Sequence, residues 1–157
     1  MNVSDCTHPE MSIVIVTPDR YETIRRTILH LRSQKARDLL EVVIVAPSKD
    51  ELGLIESEVK DFLQCCIVEV GPINSTAKAR AAGIRQASAP VIALVEDHSY
   101  PCPGWAETLI AAHRQPWAAV GPVVCNANPE SLISWTNLLL EYGPWLDPRE
   151  AEAVDHL

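Results

Sequence analysis

Residues 12–17 read Ser-Ile-Val-Ile-Val-Thr and are followed by Pro18. A short run of β-branched residues closed by a proline predicts a strand that is buried on both faces. The same pattern recurs in residues 41–46, 66–70 and 91–95. Segments with apolar residues at helical spacing separate these runs. Strands that alternate with such helices are joined by right-handed crossovers, so the sequence predicts an α/β fold with a mostly parallel sheet covered on both faces.

The helices between the strands can also be placed from the sequence. The first carries Tyr21, Ile24, Ile28 and Leu31 on one face, and the second carries Leu52, Ile55, Val59 and Phe62. We expect Asn74 or Ser75 to cap a third helix that runs to Ala87. A fourth helix begins near Trp105, and a last one spans roughly residues 129–142. Residues 118–124 read as a fifth strand.

Composition limits the classes of partner. The net charge of −8 argues against broad contact with nucleic acid, which requires clustered cations. Six of the thirteen Lys and Arg residues lie between Arg20 and Arg37, where a solvated helix face is favoured over an anionic contact. No apolar run approaches the roughly 20 residues of a membrane span. The five cysteines show no metal-binding spacing, so reduced thiols and a cytoplasmic location are expected.

Open parallel sheets bind ligands beyond the carboxyl ends of their strands. In this sequence the ends are residues 17–20, 46–49, 71–75 and 96–99, and three of them carry charged or metal-capable side chains. The site is therefore expected at this edge of the sheet.

The most informative of these ends is Glu96-Asp97-His98. Two adjacent acids and an imidazole directly after an apolar strand favour a nearby cation. Carboxylate oxygens suit Mg²⁺ or Mn²⁺, and the imidazole shifts the preference toward Mn²⁺ or another transition ion. The alternative is a solvated turn in which Asp97 caps the loop and His98 is merely exposed.

Four segments, taken in order, resemble the family 2 glycosyltransferases. Residues 12–20 are similar to the opening strand and "PTYNR"-type turn of that family, and residues 74–83 to its "ARNxG" helix. Residues 91–105 resemble the strand, DxD-type acidic motif and following loop, and residues 121–124 the next strand. The resemblance implies a GT-A fold, which is a Rossmann-like three-layer sandwich. It also implies transfer of a sugar from a nucleoside-diphosphate donor.

The resemblance assigns roles to individual residues of this chain. It implies that the turn after the first strand contacts the donor, together with Glu96 at the ribose or sugar. Asp97 and His98 would hold a divalent metal, Mn²⁺ or Mg²⁺, that bridges the two phosphates. The other implied donor contacts are Thr17, Pro18, Asp19, Arg20, Ser48, Lys78 and Arg80.

The sequence also departs from the family pattern. The second strand ends Ala46-Pro47-Ser48 without the Asp that reads the base in many relatives, so Ser48, Asp50 or backbone groups would have to replace it. His98 stands where the family has an Asp, which leaves open that the metal has been lost. A non-catalytic α/β binding or regulatory module and a nucleotidyltransferase stay open as alternatives.

The expected organisation is a single nucleotide-sugar-binding domain over residues 1–157. Residues 1–11 form a flexible N-terminus, residues 12–125 the family-like core and residues 126–157 a helix with an acidic tail. No strand or placed acid follows that could supply the acceptor half and the base of an inverting displacement. The catalytic residues are therefore unknown, the acceptor (a sugar or a lipid) is unidentified, and the chain is expected to be incomplete alone.

The last helix is apolar on more than one face. Burial against the domain's own sheet is the simpler expectation for it. An exposed part would be a docking face for missing residues or for a second copy of the chain. Its apolar residues are Leu132, Ile133, Trp135, Leu138, Leu139, Leu140, Tyr142 and Trp145.

Overall fold

The computed structural model of the chain describes residues 8–146 and residue 153. The described residues form two compact units, one ending at Arg114 and the other beginning at Gln115. The predicted flexible N-terminus falls mostly outside the described residues. Its last residue, Met11, already belongs to the first strand and is fully buried. The single domain over residues 1–157 stays a prediction.

The first unit alternates strands and helices as the sequence pattern indicates. Its strands are β1 (Met11–Val16), β2 (Leu40–Ala46), β3 (Gln64–Glu69) and β4 (Val91–Val95). Its helices are α1 (Tyr21–Arg32), α2 (Lys49–Leu52), α3 (Glu56–Val59), α4 (Thr76–Gln86) and α5 (Trp105–Ala112).

The four strands form one parallel sheet in the order β3-β2-β1-β4. The predicted α/β fold with a mostly parallel sheet is confirmed. The chain moves in one direction along the sheet from β1 to β3 and then crosses back to β4. Because crossovers of this kind are right-handed, α1 and α3 lie on one face of the sheet and α4 lies on the other.

The helix α4 packs unusually close to the sheet. A Cβ atom added at Gly83 would lie 2.5 Å from Cγ1 of Val14 and 2.8 Å from Cγ2 of Val45. Only a glycine permits this approach, which explains why the alanine-rich helix carries a glycine on its buried face. Ala79, one turn earlier, packs on the same valines. Side chains on β4 are less covered, and Leu94, which pairs with Val14, is 51% exposed.

The predicted second helix is wrong as a single element. It is split into α2 and α3 because Gly53 ends α2 in the left-handed region, with φ of 64°. Its apolar residues still serve the core, since Leu52, Val59 and Phe62 are buried. The sequence identified the apolar face correctly and missed the glycine as a helix end.

A buried carboxylate ties the amino ends of the strands together. Glu41 in β2 is only 3% exposed and accepts hydrogen bonds from the hydroxyl of Ser12 in β1 and from the backbone N–H of Ser88. The Ser88 hydroxyl donates to the other carboxylate oxygen of Glu41 at 3.1 Å. The Ala89 N–H donates to the hydroxyl oxygen of Ser12 at 3.0 Å. The network fixes the loop between α4 and β4.

The second unit differs from expectation in two ways. Residues 118–124 form no strand; Val124 makes only an isolated bridge to Leu146, with its N–H donating to the Trp145 carbonyl at 2.7 Å. Pro122 lacks the N–H that a strand interior needs, and Val123 is 48% exposed, so the segment has neither the hydrogen bonds nor the burial of a strand.

The last helix, α6 (Leu132–Tyr142), is present as predicted and is capped by Ser131. None of its residues is buried within the described part of this unit, and the expected burial against the sheet stays a prediction. Leu132 and Leu140 are 84% and 80% exposed. A role of this helix in self-association stays a prediction. The acidic tail lies outside the described residues.

Candidate functional site

The carboxyl ends of β1 and β4 lie side by side because the two strands are adjacent and parallel. Thr17 follows β1 and is fully buried, and its backbone N–H donates to the Val45 carbonyl at 2.9 Å. Its hydroxyl accepts the Asp19 N–H at 3.2 Å, which shapes the turn. Pro18, Asp19 and Arg20 are exposed, and Arg20 is the N-terminal flanking residue of α1. The predicted donor-contacting turn is thus ordered by Thr17 and open to solvent.

Ser48 follows β2, the next strand along the edge. Its hydroxyl oxygen accepts the backbone N–H of Glu51 at 3.2 Å and so caps α2. The Lys49 N–H donates to a carboxylate oxygen of Glu69, at the end of β3, at 3.0 Å. Ser48 therefore has a structural contact here, and its part in base recognition stays a prediction.

The acidic motif begins directly after β4. The side chains of Glu96 and Asp97 are 37% and 25% exposed, and that of His98 is 72% exposed. The imidazole lies between the two acids: its Nδ1 is 2.7 Å from Oδ1 of Asp97, and its Nε2 is 3.4 Å from Oε2 of Glu96. A single ring thus contacts both carboxylates.

A cation from α4 reaches the same motif. Nη2 of Arg80 is 3.9 Å from Oε1 of Glu96, with both side chains partly exposed. This contact brings together two residues that the sequence assigned to the donor. Lys78 is exposed near the start of α4, and its backbone N–H donates to the Ser75 hydroxyl at 3.3 Å. Ser75, not Asn74, is therefore the capping residue.

The donor set of the motif suits a divalent metal, but its arrangement differs from a formed metal site. Carboxylate oxygens with one imidazole nitrogen match the preferences of Mn²⁺. Within residues 8–146 and residue 153, no three His, Cys, Asp or Glu side chains are grouped so that they could hold an ion. The acids are instead paired with His98 and Arg80. The His98 side chain is largely exposed, so packing does not fix the orientation of its ring.

Sequence reasoning missed the residues that hold the segment after this motif. Thr27 in α1 and Gln34 in the turn directly after it are fully buried. His30 lies between them on the same helix face. All three contact backbone groups of residues 97–106. The signal in the sequence was a polar stripe at 27, 30 and 34 next to the apolar stripe.

Two arginines of α1 are paired with carboxylates of the same unit. The guanidinium of Arg25 binds both oxygens of Glu58, at 2.8–3.1 Å, and this hydrogen-bonded pairing lowers the pKa of that carboxyl below its usual value. The Tyr21 hydroxyl donates to the same carboxylate at 3.0 Å. Nε of Arg32 donates to one carboxylate oxygen of Asp61, Oδ2, at 2.7 Å. The expected solvated basic face is therefore in part an ion-paired contact with α3 and the turn after it.

Among the described residues, Cys65, Cys66, Cys102 and Cys125 are all free. Burial raises the pKa of the Cys65 thiol to about 12, which makes it a poor nucleophile.

The sequence profile of one family, described as "Glycosyl transferase family 2", matches residues 12–151. The chain belongs to this family, and its fold is that of the GT-A glycosyltransferases. The match favours a glycosyltransferase domain over a nucleotidyltransferase. No curated protein matches the chain.

Solved structures agree on the fold. A mannosyltransferase from Pyrobaculum calidifontis, in complex with GDP-Man and Mn²⁺, superposes with a TM-score of 0.61 at 20% identity; the match covers 83% of this chain and 39% of that one. Residues 1–349 of S. aureus TarS give 0.55 at 17% identity, covering 76% and 42%. The complex of the latter with UDP-GlcNAc gives 0.55 at 19% identity, covering 67% and 32%. This chain thus spans less than half the length of each.

No helix in the described part of the chain is both long and apolar enough to cross a membrane.

Proposed function

We propose that this chain binds a nucleoside-diphosphate sugar together with a divalent metal, as the donor-binding part of an inverting glycosyltransferase. The observation that carries the proposal is the cluster at the end of β4. There Glu96, Asp97, His98 and Arg80 lie within contact distance at the edge of the sheet where parallel folds bind ligands. Two of the neighbouring structures contain a sugar nucleotide, GDP-Man and UDP-GlcNAc, and one of them also contains Mn²⁺.

Each residue of the cluster has a task that its chemistry can perform. Asp97 and His98 would hold the metal, Mn²⁺ or Mg²⁺, which supplies charge stabilisation at the departing diphosphate. Glu96 would accept hydrogen bonds from hydroxyl groups of the ribose or sugar. Arg80 offsets the negative charge of Glu96 and would lie near the bound nucleotide.

The turn after β1 would complete the donor contacts. Thr17 orders it through the Asp19 N–H, and Pro18, Asp19 and Arg20 are exposed to a ligand. Ser48 and Lys78 stand at the neighbouring strand end and on α4. These donor contacts are part of the proposal.

The test is calorimetric titration of the chain with UDP, GDP, TDP and CDP, each with Mn²⁺ and with a chelator. We expect one nucleotide to bind in a metal-dependent manner. Asp97→Ala and His98→Ala should each weaken that binding at least tenfold, or about 1.4 kcal/mol, since each removes one ligand. His98→Asp should keep the metal dependence because it supplies an oxygen ligand instead.

The matched control is Asp38→Ala. Asp38 is exposed in the short 3₁₀ helix Arg37–Leu39, directly before β2 and so at the opposite edge of the sheet. This substitution removes the same charge without touching the cluster, and we expect unchanged affinity. Equal affinity with metal and with chelator, or an equal loss in Asp38→Ala, would contradict the proposed site.

A further inference from the structure

The helix α1 holds the backbone of the acidic motif from the side. The Thr27 hydroxyl lies 3.1 Å from the carbonyl oxygen of Asp97 and 2.8 Å from that of Ser99. A threonine hydroxyl carries one proton, which these two carbonyls share. Thr27 is fully buried, so water does not compete for this contact.

Gln34 holds the end of the same segment. Its side-chain Nε2 donates to the carbonyls of Cys102 and His30, both at 3.1 Å, and its Oε1 accepts the backbone N–H of Ala106 at 3.2 Å. Ala106 lies in the first turn of α5, where backbone N–H groups lack helical partners. The flanking residue Gly104 offers no capping side chain. Gln34 therefore caps a helix that is distant in sequence.

Two further contacts lie between these points. Nδ1 of His30 is 3.2 Å from the Pro101 carbonyl oxygen, and the Arg26 guanidinium lies 3.9 Å from the centre of the Tyr100 ring. Residues 27, 30 and 34 follow the three- and four-residue spacing of one helix face. The same face thus contacts the segment at residues 97, 99, 101, 102 and 106.

We propose that Thr27 and Gln34 are positioning residues for the nucleotide site. Thr27 fixes the backbone on both sides of His98, at Asp97 and Ser99, and Gln34 fixes the end of the following segment at Cys102 and Ala106. A loop held in advance loses less conformational freedom when a ligand binds, so the affinity is higher than that of a mobile loop. This inference rests on the proposed function, because it concerns the same acidic motif.

The decisive variant is Thr27→Val, with Thr27→Ser as its matched control. Valine keeps the shape of threonine in the buried helix and lacks the hydroxyl, whereas serine keeps the hydroxyl. Two measurements are made on the full chain: amide hydrogen exchange of residues 97–100 and 102, and the affinity, with Mn²⁺, for whichever of UDP, GDP, TDP and CDP the wild type binds. The Ser99 N–H, which donates to the Glu96 carbonyl at 3.2 Å, is the best single reporter of the segment.

We expect Thr27→Val to speed exchange in residues 97–102 about fivefold and to weaken nucleotide binding by a similar factor, as loss of one buried hydrogen bond implies. Thr27→Ser should restore both. A purely structural role would lower the unfolding temperature and leave the affinity of the folded protein unchanged. Faster exchange with unchanged affinity, or unchanged exchange, would therefore overturn the inference.

Gln34→Met provides a second, independent test if Thr27→Val fails to fold. Methionine has a similar length but lacks the amide oxygen that accepts the Ala106 N–H, so exchange of that amide should rise and nucleotide affinity should fall. Affinity equal to that of the wild type, or an unchanged Ala106 amide, would refute the role of Gln34. If the wild-type chain binds none of UDP, GDP, TDP and CDP, the proposed function fails. The exchange data then separately decide whether α1 holds the segment.

Discussion

Gly83→Ala is the substitution for which sequence and structure predict opposite outcomes. By helix propensity alone, alanine should stabilise α4 by about 1 kcal/mol. In the folded chain, however, the new Cβ would lie 2.5 Å from Val14 Cγ1 and 2.8 Å from Val45 Cγ2. Ordinary carbon contacts are about 3.5–4.0 Å, so the helix must withdraw by roughly 1 Å.

The cost can be estimated from how little the neighbours can yield. Val14 and Val45 are 1% and 0% exposed, and β-branched side chains have few alternative rotamers. Inserting one methyl group into such a site costs about 1–3 kcal/mol. Because Val14 and Val45 can yield so little, we take the upper part of that range, about 2–3 kcal/mol. After subtraction of the propensity gain of about 1 kcal/mol, we expect Gly83→Ala to lower the free energy of unfolding by about 1–2 kcal/mol.

Urea unfolding followed by circular dichroism measures this difference. Val14→Ala provides the matched background, because it removes the closest atom and leaves Val14 Cβ at an ordinary 3.6 Å. Gly83→Ala should cost less in that background, with a coupling energy of about 1 kcal/mol between the two positions. A neutral or stabilising Gly83→Ala, or additive effects of the two substitutions, would refute the close approach of α4.

Two further predictions concern stability. Glu41→Ala leaves the Ser12 hydroxyl and the Ser88 N–H without their acceptor in a buried site, so it should lower the free energy of unfolding in urea by about 3 kcal/mol. Glu41→Gln keeps an acceptor oxygen and should cost less. An equal loss in both variants would count against the network. Because Arg25 lowers the pKa of Glu58 in the folded chain, the stability from this pair is complete above the unfolded carboxyl pKa of about 4.3 and is lost as pH falls through the lower folded value. The unfolding temperature of Glu58→Gln should thus fall less steeply below about pH 4 than that of the wild type, and parallel pH profiles would contradict the pairing.

The fold could be predicted because its strands are short, continuous β-branched runs. A continuous apolar run fits a strand that is buried on both faces of an α/β sheet. The sequence accordingly predicts β4 at the residues where it occurs, Val91–Val95. The errors arose where a single backbone feature overrides a pattern. Gly53 ends a helix that the apolar spacing would have continued, and Pro122 prevents the strand that the valines favour.

The location of the candidate site could likewise be predicted, because the carboxyl ends of parallel strands must meet. Its internal arrangement could not. The contact of His98 with both acids depends on side-chain rotamers, and that of Arg80 with Glu96 on the distance between α4 and β4. Neither quantity is encoded in residue spacing. The same holds for Thr27, whose partners are backbone carbonyls that every residue possesses.

The acidic motif is therefore held by elements from both faces of the sheet. From one face, α1 fixes the motif's backbone through Thr27, and from the other, α4 supplies Arg80 to the Glu96 carboxylate. The reach of Arg80 depends on how close α4 lies to the sheet, and Gly83, almost one turn further along that helix, sets this distance. We therefore expect Gly83, although it lies outside the acidic motif, to affect the distance between Arg80 and Glu96. Substituting it acts on the fold and on the charge balance at Glu96 through the same displacement of one helix.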